Sequence, residues 1–89
     1  MSETIRPAAV PATSTEAELA EMWRDLLGRV EVGPEDHFFD AGGTSLSAIK
    51  LLQRVAKRFG PDALSPDTLY EDPRLGALAR AVDRATGRG

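Results

Sequence analysis

The segment that decides the fold is a run of apolar and basic residues behind two glycines. Residues 42–61 read GGTSLSAIKLLQRVAKRFGP. At about 100° per residue, one arc of a helix over this segment carries the apolar side chains Ala48, Leu51, Leu52, Val55 and Phe59. The opposite side carries the basic side chains Lys50, Arg54, Lys57 and Arg58. Because Gly60-Pro61 stops a helix, we predict an amphipathic helix from Ser45 to Phe59.

A second amphipathic helix is predicted before this segment. Thr13–Glu16 and Thr15–Glu18 both have the spacing of a capping box, which indicates a helix start. The apolar positions that follow recur with the helical period and are Leu19, Met22, Trp23, Leu26, Leu27 and Val30. We expect Gly28 to end this helix or to lie near its end.

Two more helices are predicted after the central one. Residues 65–70, SPDTLY, suit a short helix with Pro66 in its first turn. We expect Asp72 to cap a last helix that has Pro73 at its first position, because both residue types are common there. The apolar stripe of that helix consists of Leu75, Leu78, Ala79 and Val82. The fold is therefore predicted to be all-α, a four-helix bundle with three long helices and a short third one.

Length and composition exclude several kinds of functional site and argue against an enzyme. The 89 residues suffice for one small domain, and they include no cysteine and a single histidine, His37. These counts exclude a disulfide framework, a thiolate nucleophile and a histidine zinc site. A chain this short leaves little room for a substrate pocket beside its core, which argues against an enzyme. We expect a flexible leader over residues 1–13, the folded domain over 14–85 and a flexible tail over 86–89.

Charge and hydropathy patterns bear on location and partners. No apolar run reaches the length of a membrane span, and residues 1–15 lack the apolar segment of a secretory signal. We therefore expect a cytoplasmic protein with no membrane partner. The net charge is −3, yet residues 45–89 carry eight basic and five acidic side chains. Such asymmetry favours separate faces for protein partners, and the acidic total argues against nucleic-acid binding.

The connection before the central helix is the candidate functional segment. It runs from about residue 29 to residue 44, and a loop of this length inside a compact domain is more often functional than not. Phe38 and Phe39 are expected to pack under the bundle. A serine at a helix start is usually an N-cap, but Thr44 can cap equally well, which leaves Ser45 free. A helix N-terminus stabilises an attached anion, so Ser45 is a candidate attachment point for a phosphate-linked group.

The motif around Ser45 resembles that of a known family. The pattern D-x-F-F-x-x-G-G-x-S-L, residues 36–46, is similar to the attachment motif of peptidyl carrier proteins, the thiolation domains of nonribosomal peptide synthetases. The resemblance extends over residues 14–84 and includes WRDLLG at 23–28, VGPEDHFF at 32–39 and YEDPRLGALA at 70–79. It implies the carrier-type bundle, with Ser45 accepting 4′-phosphopantetheine from coenzyme A. The thiol of this cofactor would then hold an aminoacyl or peptidyl group as a thioester.

The resemblance also implies partners for a non-catalytic, monomeric carrier. These are a phosphopantetheinyl transferase, an adenylation enzyme, and a downstream condensation, tailoring or thioesterase enzyme. Leu46 projects away from the core arc and Ile49 lies near its boundary. We predict partner binding by Thr44, Leu46, Ile49 and Lys50. Thr44 departs from the histidine or aspartate that many members of the family have before the serine, which leaves the downstream partner open.

Other functions compete with this interpretation. An acyl carrier protein of a polyketide or hybrid pathway is one, although such carriers tend to have an acidic second helix and Ser45–Phe59 contains no acidic residue. An unmodified helical protein-interaction module is another, using the same exposed Leu46. A serine hydrolase would need a base beside Ser45; His37 is the sole candidate, and no glycine follows Ser45 at the second position.

Overall fold

The computed structural model describes residues 13–28 and 31–87. It contains α1 (Ser14–Leu27), α2 (Ser45–Phe59), α3 (Pro66–Glu71) and α4 (Leu75–Thr86). Within the described residues there is no β-strand, only an isolated bridge between His37 and Arg74. The predicted all-α fold with three long helices and a short third one is confirmed, and α2 has the predicted bounds.

The ends of α1 follow from its capping residues. Thr13 is extended and its side chain accepts a hydrogen bond from the Glu16 amide at 3.1 Å. Gly28 ends the helix at a left-handed φ of 67°, which glycine adopts without strain. Thr15 lies inside the helix instead of capping it, and its hydroxyl donates to Asp83 Oδ1 at 2.5 Å. The predicted leader up to residue 12, the apolar position Val30 and tail residues 88–89 lie outside the described residues.

The core forms where α1 packs against both α2 and α4. Trp23 and Phe38 meet edge to face in it, with their ring centroids 5.2 Å apart. The predicted apolar stripes point inward, and the fully buried side chains include Leu19, Trp23, Leu51, Val55, Leu78 and Val82. Met22, Leu26, Leu27, Leu52 and Phe59 are partly buried and pack against this core. The hydrophobic effect on these stripes therefore holds the helices together.

The predicted start of α4 is wrong. The helix begins at Leu75, and its N-cap residue Arg74 makes no side-chain capping bond. Asp72 instead ends α3, where its amide donates to the Thr68 carbonyl. The reason is tertiary: the free amides of Leu75 and Gly76 donate to the carbonyls of Asp36 at 3.1 Å and Pro34 at 2.9 Å. The loop before α2 thus caps α4 in place of an aspartate side chain.

Candidate functional site

Ser45 is the first residue of α2 and is exposed. Thr44 is the N-cap: its Oγ1 accepts from the Ser47 amide at 3.1 Å, and its carbonyl accepts from the Ala48 amide at 2.9 Å. The expectation that Thr44 caps this helix is therefore confirmed. Within the part of the chain that the structure describes, no group hydrogen-bonds to the Ser45 hydroxyl. That hydroxyl is consequently available for chemistry.

The N-terminus of α2 provides a favourable environment for an anion on Ser45. Residues 13–28 and 31–87 supply no acceptor for the backbone amides of Ser45 and Leu46. The first turn of this helix also contains no acidic side chain. A phosphate group joined to the Ser45 oxygen would thus lie near free amides at the positive end of the helix dipole.

The two glycines before Ser45 occupy positions that other residues would not fit well. A Cβ on Gly43 would lie 2.5 Å from two ring carbons of Phe38 and 2.7 Å from the Phe38 carbonyl oxygen. Gly43 is therefore required for close packing on Phe38. Gly42 lies in open space with a φ of 110°, a backbone conformation that side chains disfavour. Both glycines therefore shape the loop before Ser45.

Phe38 and Phe39 pack differently. Phe38 is fully buried, as predicted, and its amide donates to the Pro73 carbonyl at 2.9 Å. Phe39 is only partly buried and stacks on the ring of Tyr70 in α3, with centroids 5.5 Å apart and planes 10° apart. Tyr70 remains 53% exposed. The two aromatic residues therefore tie the loop to the core and to α3, respectively.

His37 is held within the loop by local contacts. Its Nδ1 accepts from the Asp40 amide at 3.4 Å and lies 3.9 Å from Asp40 Oδ2. Its backbone pairs with Arg74 across the isolated bridge. Among the described residues, no cluster of three histidine, aspartate or glutamate side chains could hold a metal ion. The part of the chain that the structure covers also contains no helix long and apolar enough to cross a membrane.

The predicted partner-binding residues surround Ser45 on the outer side of α2. Leu46 is 62% exposed and Ile49 51% exposed, so both lie on the surface as expected. Thr44 and Lys50 are exposed as well. Whether these four residues bind a partner stays a prediction.

The four basic side chains of α2 divide into two pairs. Arg54 binds Asp25 at 3.1 Å and Arg58 forms an ion pair with Glu18, so both arginines are engaged with α1. Lys50 and Lys57 form no ion pair with any residue in the described ranges. Lys50 and Lys57 lie on the side of the helix that Leu46 shares.

Sequence reasoning missed a charge cluster behind the loop. Arg74 binds Asp72 through two nitrogens, each 2.9 Å from a carboxylate oxygen, and binds Glu35 at 3.1 Å. The hydrogen bonds from Arg74 lower the pKa of Asp72 to about 2. Glu35 and Arg74 are 39 positions apart. No local pattern could have indicated their contact, because it depends on how the loop folds back on α4.

The sequence of this chain matches a known family over most of its length. The family model described as phosphopantetheine attachment site matches residues 17–82. Phosphinothricin tripeptide synthetase PhsB of Streptomyces viridochromogenes is 45% identical over 83% of this chain, and tyrocidine synthase 3 of Brevibacillus parabrevis is 40% identical over 86%. The chain spans only 6% and 1% of the lengths of these two relatives.

Solved structures share the fold. A structure of the phosphopantetheine transferase Sfp in complex with coenzyme A and a peptidyl carrier protein contains a chain that matches with a TM-score of 0.80 and 32% identity, over 85% of this chain and 97% of that one. An active-site mutant of a peptidyl carrier protein matches with a TM-score of 0.81 and 30% identity, over 91% and 89%. The bundle is thus of the predicted carrier type. The chain belongs to the phosphopantetheine attachment site family and is a peptidyl carrier, or thiolation, domain with an attachment site for 4′-phosphopantetheine.

Proposed function

We propose that this domain holds an aminoacyl or peptidyl group as a thioester on a 4′-phosphopantetheine arm attached to Ser45, and carries it between enzymes of nonribosomal peptide synthesis. One observation carries the choice of residue. The Ser45 hydroxyl is exposed at the start of α2, while Thr44 supplies the capping bonds that would otherwise occupy it. One relative that contains a similar domain is named phosphinothricin tripeptide synthetase, which supports the substrate class.

The residues of the site position the arm and do no further chemistry. The Ser45 oxygen would hold the phosphate of the arm, and the amides of Ser45 and Leu46 at the helix N-terminus would stabilise its negative charge. The cofactor supplies the thiol that a chain without cysteine lacks. We therefore assign no catalytic residue, and we place the carrier domain at residues 14–85, acting as a monomer in the cytoplasm.

Partners must reach both the arm and the protein surface around it. We propose that an α2 docking face, made of Thr44, Leu46, Ile49 and Lys50, contacts them. Its apolar members are exposed directly beside Ser45, and Lys50 has no intramolecular ion pair among the described residues. Candidate partners are a phosphopantetheinyl transferase, an adenylation enzyme and a condensation, tailoring or thioesterase enzyme. The structure of Sfp with a peptidyl carrier protein supports the first of these.

Intact-protein mass spectrometry tests the attachment site. The protein is incubated with coenzyme A, magnesium and a broad-specificity phosphopantetheinyl transferase, together with the variants Ser45→Ala and Ser47→Ala. We expect the mass of one phosphopantetheinyl group on the wild type and on Ser47→Ala, but not on Ser45→Ala. Ser47 is a matched control because its hydroxyl lies one residue beyond Leu46 and contacts Thr44 Oγ1 at 3.1 Å. No gain on folded wild type with several transferases would refute carrier function and favour an unmodified interaction module.

A further inference from the structure

The loop that leads to Ser45 is attached to the junction of α3 and α4. Three backbone hydrogen bonds connect the two segments, from the Phe38 amide to Pro73, from Leu75 to Asp36 and from Gly76 to Pro34, with lengths of 2.9, 3.1 and 2.9 Å. Two of the donors are amides at the start of α4. The first turn of α4 and the loop before α2 are therefore one structural unit.

The side chain of Arg74 adds an ionic clamp to this unit. Its guanidinium holds Asp72 with two nitrogens at 2.9 Å and Glu35, on the loop, with a third at 3.1 Å. A cation at the N-terminus of a helix is unfavourable for the helix itself. The two carboxylates offset that cost, and the low pKa of Asp72 agrees with a charged Asp72–Arg74 pair at neutral pH. The ionic clamp therefore stabilises the contact between the loop and the α3–α4 junction more than it stabilises α4 itself.

A short chain of contacts leads from the clamp to Ser45. The Phe38 amide is bound to Pro73, the residue before Arg74, and the Phe38 carbonyl accepts from the Gly43 amide at 2.9 Å. The ring of Phe38 also packs where a Cβ of Gly43 would lie. Gly43 precedes Thr44, the cap of the helix that begins at Ser45. A shift of the loop at the junction would thus reach the attachment site through Phe38 and Gly43.

We propose that Arg74 is a positioning residue for arm attachment: by joining Glu35 to the α3–α4 junction, it holds the loop in the conformation that presents Ser45 to the transferase. This inference rests on the proposed attachment at Ser45. Arg74 and Glu35 are exposed, and an exposed ion-pair network contributes little to global stability. The effect of losing it should therefore be local to the loop.

The test combines amide hydrogen exchange with attachment kinetics. It compares the wild type with Arg74→Ala, Glu35→Gln and Arg74→Lys. Arg84→Ala is the control, since Arg84 is an exposed arginine of α4 with no ion pair in the described part of the chain. In Arg74→Ala and Glu35→Gln, we expect the amides of Phe38 and Leu75 to exchange faster while the amide of the core residue Val55 does not.

The kinetic readout separates positioning from unfolding. Only carriers with the loop in place dock productively, so KM for the carrier should rise about threefold to tenfold in Arg74→Ala, with kcat at saturation unchanged. Arg74→Lys keeps the charge but not the planar fork and should recover part of the loss. Unchanged loop exchange, or a KM equal to that of Arg84→Ala, would overturn the proposal. Absence of modification on the folded wild type would instead refute attachment at Ser45.

Discussion

At the scale of single residues, the packing of Gly43 on Phe38 sets the geometry before Ser45. We expect Gly43→Ala to lower the free energy of unfolding by about 1–3 kcal/mol, because its Cβ would overlap both the buried ring and the backbone carbonyl of Phe38. Gly33→Ala is the control, since Gly33 has nothing within 4 Å of an added Cβ and no positive φ. Urea unfolding of both variants measures the difference. Equal stabilities would show that Phe38 can move aside.

Thr44 and Ser45 divide the tasks of capping and attachment between them. Thr44→Ala removes the acceptor of the Ser47 amide and should lower the free energy of unfolding by about 1 kcal/mol. Ser45→Ala removes a hydroxyl without a partner among the described residues and should change it by less than about 0.5 kcal/mol. Chemical denaturation of the two variants checks this order. A larger loss in Ser45→Ala would mean that Ser45 also caps α2.

At the scale of helices, α2 has one side turned to α1 and another left for partners. We expect Leu46→Glu and Lys50→Glu to slow loading of the arm by the adenylation enzyme of the same pathway. Leu46→Glu places a charge in an apolar contact. Lys50→Glu reverses the charge of a lysine that has no ion pair among the described residues. Neither variant should lower Tm by more than a few degrees. Loading assays quenched at successive times measure the rate of loading, and thermal melts measure Tm.

Arg54→Glu serves as the comparison for this prediction. Arg54 is equally basic but is paired with Asp25 on α1, so reversing its charge should affect the α1–α2 contact more than loading. If Leu46→Glu lost helical signal on mild heating, Leu46 would be a core residue and the α2 docking face would be wrong.

At the junction of α3 and α4, the contribution of the Asp72–Arg74 ion pair to the stability of the fold should depend on pH. The pKa of Asp72 is lowered from 3.8 to about 2 by its hydrogen bond with Arg74. A carboxyl whose pKa is lower in the folded state stabilises the fold above its unfolded pKa, and this contribution is lost as the pH falls towards the folded value. Because the pair is exposed to solvent, the Tm of wild type should exceed that of Asp72→Asn at pH 6 by only a small margin. The difference should shrink between about pH 4 and pH 2. A pH-independent difference would contradict this ion pair.

At the scale of the whole molecule, a hydrogen bond joins the two ends of the described chain. The buried hydroxyl of Thr15 in α1 donates to Asp83 near the end of α4, 68 positions away. Thr15→Val keeps the volume but leaves the Asp83 carboxylate without this donor, and we expect a loss of about 1–2 kcal/mol in the free energy of unfolding. Thr15→Ser, which keeps the hydroxyl, should lose less. A loss in Thr15→Ser with none in Thr15→Val would assign the effect to the methyl group and contradict a stabilising hydrogen bond.

Local patterns predicted much of this molecule because their causes are local. The period of apolar residues and the Gly60-Pro61 stop predicted the bounds of α2, and Gly28 predicted the end of α1. Ser65 and Pro66 predicted the start of α3. Ser45 became a candidate because Thr44 could take over the cap, a relation between adjacent residues that the hydrogen bond to Ser47 confirms.

The amino-acid sequence by itself determined the four helices, their buried stripes and the exposed serine at the start of α2, since periodicity, capping and glycine turns act over a few residues. Only the tertiary structure decided where α4 begins, why Gly43 must be glycine and which basic side chains of α2 remain unpaired. Two of these depend on contacts between distant segments, namely loop carbonyls at the α4 amides and α1 carboxylates beside Arg54 and Arg58. The third depends on how the loop folds the Phe38 ring onto Gly43. Such contacts depend on how the loop and the buried apolar stripes arrange the helices in space, so no local pattern encodes them.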